Sequence, residues 1–98
     1  MEKLVVKWNR SAYLQMIHIS AWYRENVALK AASSFVSSIY KAIEKISVYP
    51  TIGMLDRKRS NAKYTYHSIL LHPKYRLIYR ASKRTVRIVA IQCNQMKV

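Results

Sequence analysis

The heptapeptide Lys74-Tyr-Arg-Leu-Ile-Tyr-Arg80 alternates aromatic and aliphatic side chains with basic ones, at the two-residue period of a β-strand. The two sides of such a strand carry different sets, namely Tyr75, Leu77 and Tyr79 on one side and Arg76, Ile78 and Arg80 on the other. We expect the first set to face the core. The second set would place two guanidinium groups on the sheet surface, where their planar donors suit phosphate or carboxylate groups.

Strand-like segments also precede and follow this heptapeptide. They cover about residues 64–71 and 85–92, and short turns at His72-Pro73 and Ser82-Lys83-Arg84 separate them from the central segment. Strands joined by such short turns pair with their sequence neighbours in an antiparallel sheet. The C-terminal third of the chain is therefore predicted to form a three-stranded antiparallel meander.

The N-terminal third begins with a strand and continues as a helix. Residues 3–8 alternate in the same way, and Ser11 is a plausible N-cap for a helix from about residue 12 to residue 28. The apolar stripe expected to face the core consists of Leu14, Ile17, Ala21 and Trp22.

A second helix has a clearer apolar stripe. Its members recur at i, i+3, i+4 and i+7, and they are Ala32, Phe35, Val36, Ile39, Ala42, Ile43 and Ile46. Tyr49-Pro50 ends this helix, and residues 51–63 form a loop that contains Gly53. The predicted fold is a single α+β domain over residues 1–98, with an N-terminal strand, a two-helix hairpin and a three-stranded antiparallel meander. One helix pair covers one sheet face, so the other face is predicted to stay open.

Charge and composition narrow the function classes. The 98 residues include 18 Lys and Arg against 4 Asp and Glu, a formal charge of +14 with a pI near 10.3, and this excess favours anionic partners. The apolar runs are shorter than the roughly 20 residues of a membrane span, and the N-terminus does not resemble a signal peptide. The single cysteine, Cys93, excludes an internal disulfide. We expect a cytoplasmic protein that does not associate with a membrane.

The order of these elements, together with Tyr49-Pro50, Gly53 and the strand Tyr75-Arg-Leu-Ile-Tyr79, resembles the RelE/ParE toxin superfamily over essentially the whole chain. The resemblance implies a toxin of a type II toxin–antitoxin module, neutralised by a cognate acidic antitoxin. RelE-like members cleave ribosome-bound mRNA without a metal, whereas ParE-like members act on DNA gyrase. Arg76 matches the strand arginine of the family, and His67 falls where a basic residue is expected.

The sequence also departs from the RelE-like ribonuclease pattern. Ile69 stands where a second basic residue is expected, and the segment Cys93-Asn94-Gln95-Met96 replaces a late arginine, with no tyrosine after it. Activity as a metal-independent endoribonuclease is thus an open alternative to action on gyrase. A third alternative is a non-toxic or decayed module that only binds nucleic acid or antitoxin. A homodimer is a further alternative.

Candidate site residues follow from this chemistry. If RNA is cleaved, His67 would be the general base, Arg76 would stabilise the phosphorane and Arg80 would be a second clamp. The alternative is that His67 is a structural residue and the arginines are a solvated surface. Further nucleic-acid or antitoxin contacts are expected from Arg57, Lys58, Arg59, Lys63 and Arg87. The three histidines lack the spacing of a metal site, so neither a metal nor a cofactor is expected.

Overall fold

A computed structural model describes residues 3–72 and 74–93 of the chain. In chain order the elements are β1 (Val5–Trp8), α1 (Arg10–Asn26), α2 (Leu29–Val48), β2 (Met54–Asp56), β3 (Tyr66–His72), β4 (Tyr75–Ala81) and β5 (Thr85–Cys93). The predicted α+β architecture is confirmed, with the strand, the two-helix hairpin and the meander in the predicted order.

The strands form one mixed sheet in the order β1-β5-β4-β3-β2. Strand β1 lies parallel to β5, and the remaining neighbours are antiparallel. Strand β2 was not predicted, because its three residues lie inside the expected loop 51–63 and are too few for a periodic pattern to be recognised. It extends the meander by pairing with β3.

Both helices pack on one face of the sheet, as predicted. The buried cluster combines the α2 stripe with sheet residues that face the helices, and the sheet members are Leu77, Tyr79, Val86, Ile88 and Ile91. On α2 the predicted stripe is confirmed, since all its members are buried except Val36, which is partly buried. Burial of an Ile or Phe side chain stabilises a fold by about 1.5–3 kcal/mol, so this stripe fixes the hairpin on the sheet.

The predicted core face of α1 is wrong. Ala12 and Met16 are its buried residues, and Ile19 and Tyr23 pack against the core beside them. The expected stripe faces outward instead, with Leu14, Ile17 and Trp22 exposed by 39%, 44% and 50%. Helix α1 carries two apolar stripes, and the one with the small Ala12 and the flexible Met16 allows the closer approach to the sheet.

The predicted N-cap of α1 is wrong as well. Asn9 occupies that position, and Ser11 lies within the helix. The backbone N–H of Asn9 donates to Ile88 O at 2.9 Å, so β1 continues its pairing with β5 up to the residue at which α1 begins. The helix therefore starts directly at the end of the strand, without an intervening loop.

The segment between α2 and β2 is held to the sheet by Tyr79. This ring is fully buried, and its hydroxyl donates to Pro50 O at 2.8 Å and accepts the Gly53 N–H at 3.0 Å. A Cβ on Gly53 would lie 2.7 Å from both Ser68 O and the Tyr79 hydroxyl, so only glycine fits this approach. Burial raises the pKa of Tyr79, and the hydrogen bond from Gly53 lowers it by a smaller amount.

The opposite face of the sheet, here called the open face, is covered near its centre. Ile78 and Ser68 face each other there and are exposed by only 1% and 7%. The loop after β2 reaches across this face, because Asp56, Lys58 and Arg59 line one depression together with Gln92 of β5. The open face is therefore covered at its centre and partly covered towards Gln92, which lies opposite Arg76 on β4.

Candidate anion-binding site

A row of cations crosses one end of the open face. The strand registers place Lys7 opposite Arg87, and Arg87 opposite Arg80. Neighbouring strands lie about 4.8 Å apart, so these three backbone positions fall within about 10 Å of each other. We call Lys7, Arg87 and Arg80 the cationic row. It continues with Tyr66 on β3 and Asp56 on β2.

Among the described residues, no carboxylate forms an ion pair with Lys7, Arg80 or Arg87. In the described residues the ion pairs are Lys3–Glu44 at 3.5 Å and Arg59–Asp56 at 3.6 Å, and neither includes a member of the row. Like charges opposite each other on neighbouring strands destabilise a sheet. An anionic partner would relieve this repulsion.

Neutral partners fix the guanidinium group of Arg80. It lies 3.9 Å from the centroid of the Tyr64 ring, and its Nη1 donates to the Tyr66 hydroxyl at 3.2 Å. The two tyrosine rings meet edge to face at a centroid distance of 6.2 Å. The structure brings both to Arg80, and they orient its charge without cancelling it.

Arg87 is held in a comparable way. Its Nη1 donates to Asn9 Oδ1 at 3.0 Å. Between the two arginines lies a cavity of about 200 Å³. Its lining consists of Tyr64, Arg80, Ala81, Ser82, Thr85 and Arg87. Two oriented guanidinium groups and a tyrosine thus line a small concave site, which we call the Arg80–Arg87 pocket.

Sequence reasoning missed Lys7 as a member of this site. The alternation of residues 3–8 already put Lys7 on the side away from Leu4, Val6 and Trp8. What the pattern could not give was the neighbour of β1, because β1 pairs in parallel with the last strand of the meander. A long-range parallel pairing leaves no local signal in the sequence.

Arg76 lies on the open face with Arg80, as expected, but at the other end of it. Four residues along a strand separate their Cα atoms by about 13 Å. Arg76 Nη1 donates to Ser68 Oγ at 3.2 Å. The two arginines therefore do not converge on one phosphate group, and Arg80 is not a second clamp on a phosphate bound at Arg76.

The catalytic alternative for His67 requires it on the face of the arginines, and the structure places it on the other face. His67 lies opposite Tyr79, on the helix-covered face, and the two rings stack at a centroid distance of 5.8 Å. Its Nδ1 is buried and has no hydrogen-bond partner among the described residues. The register of the β3–β4 pair puts Tyr66 and Ser68 on the open face and turns His67 away from it. The set His67, Arg76 and Arg80 is thus not assembled.

The basic loop lies near the cationic row, but its members differ from one another. Arg57, Lys58 and Arg59 are exposed, and Arg59 pairs with Asp56 through its side chain and its backbone N–H. Lys63 lies 5.5 Å from the Tyr64 ring centroid, beside the Arg80–Arg87 pocket. Lys63 is therefore the loop cation that can add to the potential of that pocket.

Neither a metal cluster nor a membrane span is found in the described part of the chain. Within residues 3–72 and 74–93, no three His, Cys, Asp or Glu side chains are grouped so that they could hold a metal ion. In the same ranges, no helix is both long and apolar enough to cross a membrane. The C-terminal segment where a late arginine was expected lies outside the described residues, except for the exposed Cys93.

Solved structures share this fold. A chain of the chromosomal ParDE toxin–antitoxin system from P. aeruginosa superposes with a TM-score of 0.74 at 15% identity, covering 93% of this chain and 96% of that one. A YoeB dimer from Staphylococcus aureus gives 0.63 at 18% identity, covering 93% and 97%. A YoeB/ParE toxin from Agrobacterium tumefaciens gives 0.63 at 16% identity, covering 93% and 99%.

Sequence comparison supplies the family. No curated protein sequence matches the chain. The family model for the ParE toxin of the type II toxin–antitoxin system parDE matches residues 6–98, which is nearly the entire chain. The resemblance to the RelE/ParE superfamily that the sequence suggested is confirmed by this match and by the shared fold. The chain belongs to the ParE toxin family of type II toxin–antitoxin systems.

Proposed function

We propose that this toxin acts on DNA gyrase and does not cleave mRNA. The observation that carries the proposal is the position of His67, which stacks on Tyr79 beneath the helices and cannot meet a phosphate bound at Arg76 or Arg80. Metal-independent RNA cleavage needs a group that takes a proton from the attacking hydroxyl at neutral pH. A guanidinium group has N–H donors and no acceptor, so the arginines of the open face can bind an anion but cannot take up that proton.

Membership of a type II toxin–antitoxin family implies an antitoxin partner. We propose that this antitoxin is acidic and amphipathic and that the complex forms in the cytoplasm. Its carboxylates would offset part of the +14 charge, and its apolar side chains would cover the outer stripe of α1 formed by Leu14, Ile17 and Trp22. One of the similar structures is a YoeB dimer, which makes a homodimer of the free toxin a second state to test by sedimentation.

The target is tested by producing the toxin without its antitoxin. With purified gyrase and plasmid, the toxin is expected to inhibit supercoiling and to accumulate cleaved DNA. In cells, primer extension on abundant transcripts is expected to show no new cleavage sites while a DNA-damage reporter rises. Cleaved transcripts together with unaffected gyrase would overturn the proposal.

A matched pair of variants separates binding from folding in these assays. Arg87→Gln removes one charge of the cationic row, and Arg24→Gln removes one exposed charge from the last turn of α1. If the row contributes to the gyrase complex, Arg87→Gln weakens inhibition and Arg24→Gln does not. Equal loss in both variants would mean that only the net charge matters.

A further inference from the structure

We infer that the Arg80–Arg87 pocket is a binding site for a phosphomonoester group, such as the terminal phosphate of a nucleotide or of a nucleic-acid strand. The site is built from β4, β5 and the segment before β3. It lies at the opposite end of the open face from Arg76, the residue at which the superfamily resemblance placed chemistry. The inference does not depend on gyrase being the target.

The charges of the pocket match this group. Arg80 and Arg87 supply two positive charges on directly opposed residues, and Lys7 adds a third at the end of the row. A phosphomonoester carries about −1.5 to −2 charges at pH 7 and has three acceptor oxygens. A carboxylate carries one charge and two oxygens, so it would leave the row partly uncompensated.

The arginines are also oriented for such a ligand before it arrives. Arg80 donates one N–H to the Tyr66 hydroxyl and stacks on Tyr64, and Arg87 donates one N–H to Asn9 Oδ1. A guanidinium has five N–H donors, so each arginine keeps several after these bonds are made. Fixing both groups in advance lowers the entropy lost on binding.

The size of the cavity sets the class of ligand. Pockets for drug-sized molecules occupy roughly 300–1,000 Å³. The Arg80–Arg87 pocket holds about 200 Å³, so it suits a phosphate group with a few attached atoms, not an enclosed nucleotide. Ser82 and Thr85 of the β4–β5 hairpin line the cavity beside the two arginines. The remainder of the ligand would extend out of the cavity over the open face.

Titration calorimetry on the full chain at constant ionic strength tests the inference. The probes are AMP, adenosine, and an octanucleotide with and without a 5′-phosphate. The phosphorylated member of at least one pair is expected to bind about tenfold or more tightly than its partner, the effect of one charge-assisted interaction. Preference in the AMP pair alone assigns a free nucleotide, and preference in the octanucleotide pair assigns a strand end.

Variants connect that preference to the pocket. Arg87→Gln and Arg80→Gln are expected to reduce the preference to within about twofold, since each removes a charge-assisted donor. Arg24→Gln is the charge-matched control and should preserve the preference. Arg87→Lys keeps the charge but loses the planar fork, and it should fall between wild type and Arg87→Gln. Thermal unfolding measured in parallel establishes that each variant is folded.

Three results would overturn the inference. One is equal affinity for the phosphorylated and unphosphorylated members of both pairs. Another is an equal effect of Arg87→Gln and Arg24→Gln, which would reduce the site to diffuse attraction. The third is Arg87-dependent binding of an octameric glutamate peptide without binding of AMP or the phosphorylated octanucleotide, which would assign the pocket to a protein carboxylate.

Discussion

The two faces of strand β4 arise from the same alternation of side chains, but one face stabilises the fold and the other presents charge. On the helix-covered face, Tyr79 is fully buried and its hydroxyl joins Pro50 to Gly53. On the open face, Arg80 one residue later is only half-buried and meets the neutral partners Tyr64 and Tyr66. The difference shows that one strand can hold the fold with one parity and keep charge available with the other.

This division predicts that changes on the covered face alter stability, and that changes on the open face alter binding and its dependence on salt. Buried side chains stabilise the folded state through close packing, which salt does not screen. Charges at the surface interact through water and are screened within about 8 Å at physiological ionic strength. Four substitutions test the division, from the strongest effect to the weakest.

Tyr79→Ala is expected to lower the free energy of unfolding by about 3–5 kcal/mol, the range found for truncating a buried aromatic residue. The variant loses the ring packing and also the bond that fixes the segment after α2. Urea denaturation monitored by circular dichroism measures this. Tyr40→Ala on the exposed side of α2, where Tyr40 is 50% exposed, is the control and should cost far less. Comparable losses would contradict the assignment of Tyr79 to the core.

Gly53→Ala is expected to cost about 2 kcal/mol, since overpacking a well-filled site costs about 1–3 kcal/mol. The new Cβ would lie 2.7 Å from a backbone oxygen and from the Tyr79 hydroxyl, so β2 must move away from β3. Denaturation measures the loss, with Thr51→Ala in the exposed turn as the control. If the Tyr79→Phe background removes none of this cost, the contact with the hydroxyl is not its cause.

Tyr79→Phe is expected to cost about 1 kcal/mol at neutral pH, the net value of a typical hydrogen bond. The variant should also change how stability depends on alkaline pH. Burial raises the pKa of Tyr79 in the folded state above its ordinary value of 10.0. Above that value the unfolded chain loses its proton first and binds fewer protons than the native state, so stability falls as pH rises.

The alkaline loss should therefore be smaller in Tyr79→Phe than in wild type, and the two stabilities should converge as pH rises through 10. Tyr75 remains in both proteins, and burial raises its pKa too, so part of the loss persists. Stability measured from pH 7 upward tests this. Parallel curves for the two proteins would show that Tyr79 does not contribute to the alkaline loss.

The sequence predicted those parts of the fold that depend on local periodicity. The alternation in β4 and the stripe of α2 each repeat over several residues, and both faces were assigned correctly. Helix α1 exposes the limit of this reasoning. Its residues offer one stripe through Ala12 and Met16 and another through Leu14 and Ile17, and hydrophobicity alone favoured the wrong one. Shape at the sheet surface decided between them.

The candidate site depended on registers that local patterns do not contain. The sequence left the role of His67 open, and the pairing of β3 with β4, whose register shifts between Leu70 and His72, places His67 opposite Tyr79. A shift of one residue exchanges the two faces of a strand. Lys7 was missed because its neighbour, Arg87, lies 80 residues away in the sequence. The two residues become neighbours only because β1 pairs in parallel with β5. The cationic row is thus a property of the sheet as a whole.

The smallest predicted change in stability is on the open face, and it is a gain, whereas the three substitutions above are expected to lower stability. Lys7→Gln is expected to raise the free energy of unfolding by a few tenths of a kcal/mol at low salt, because it removes one like charge opposite Arg87. About 1 M salt shortens the screening length to roughly 3 Å and should abolish the gain. Lys3→Gln breaks the exposed pair with Glu44 and should give no gain at either salt concentration. Denaturation of the two variants at both salt concentrations measures the difference.

A gain for Lys7→Gln that survives high salt would have to come from strand propensity instead of charge, and a loss would mean that Lys7 is neutralised in the free toxin. Only a gain that disappears at high salt fits a row of cations that repel one another in the free toxin.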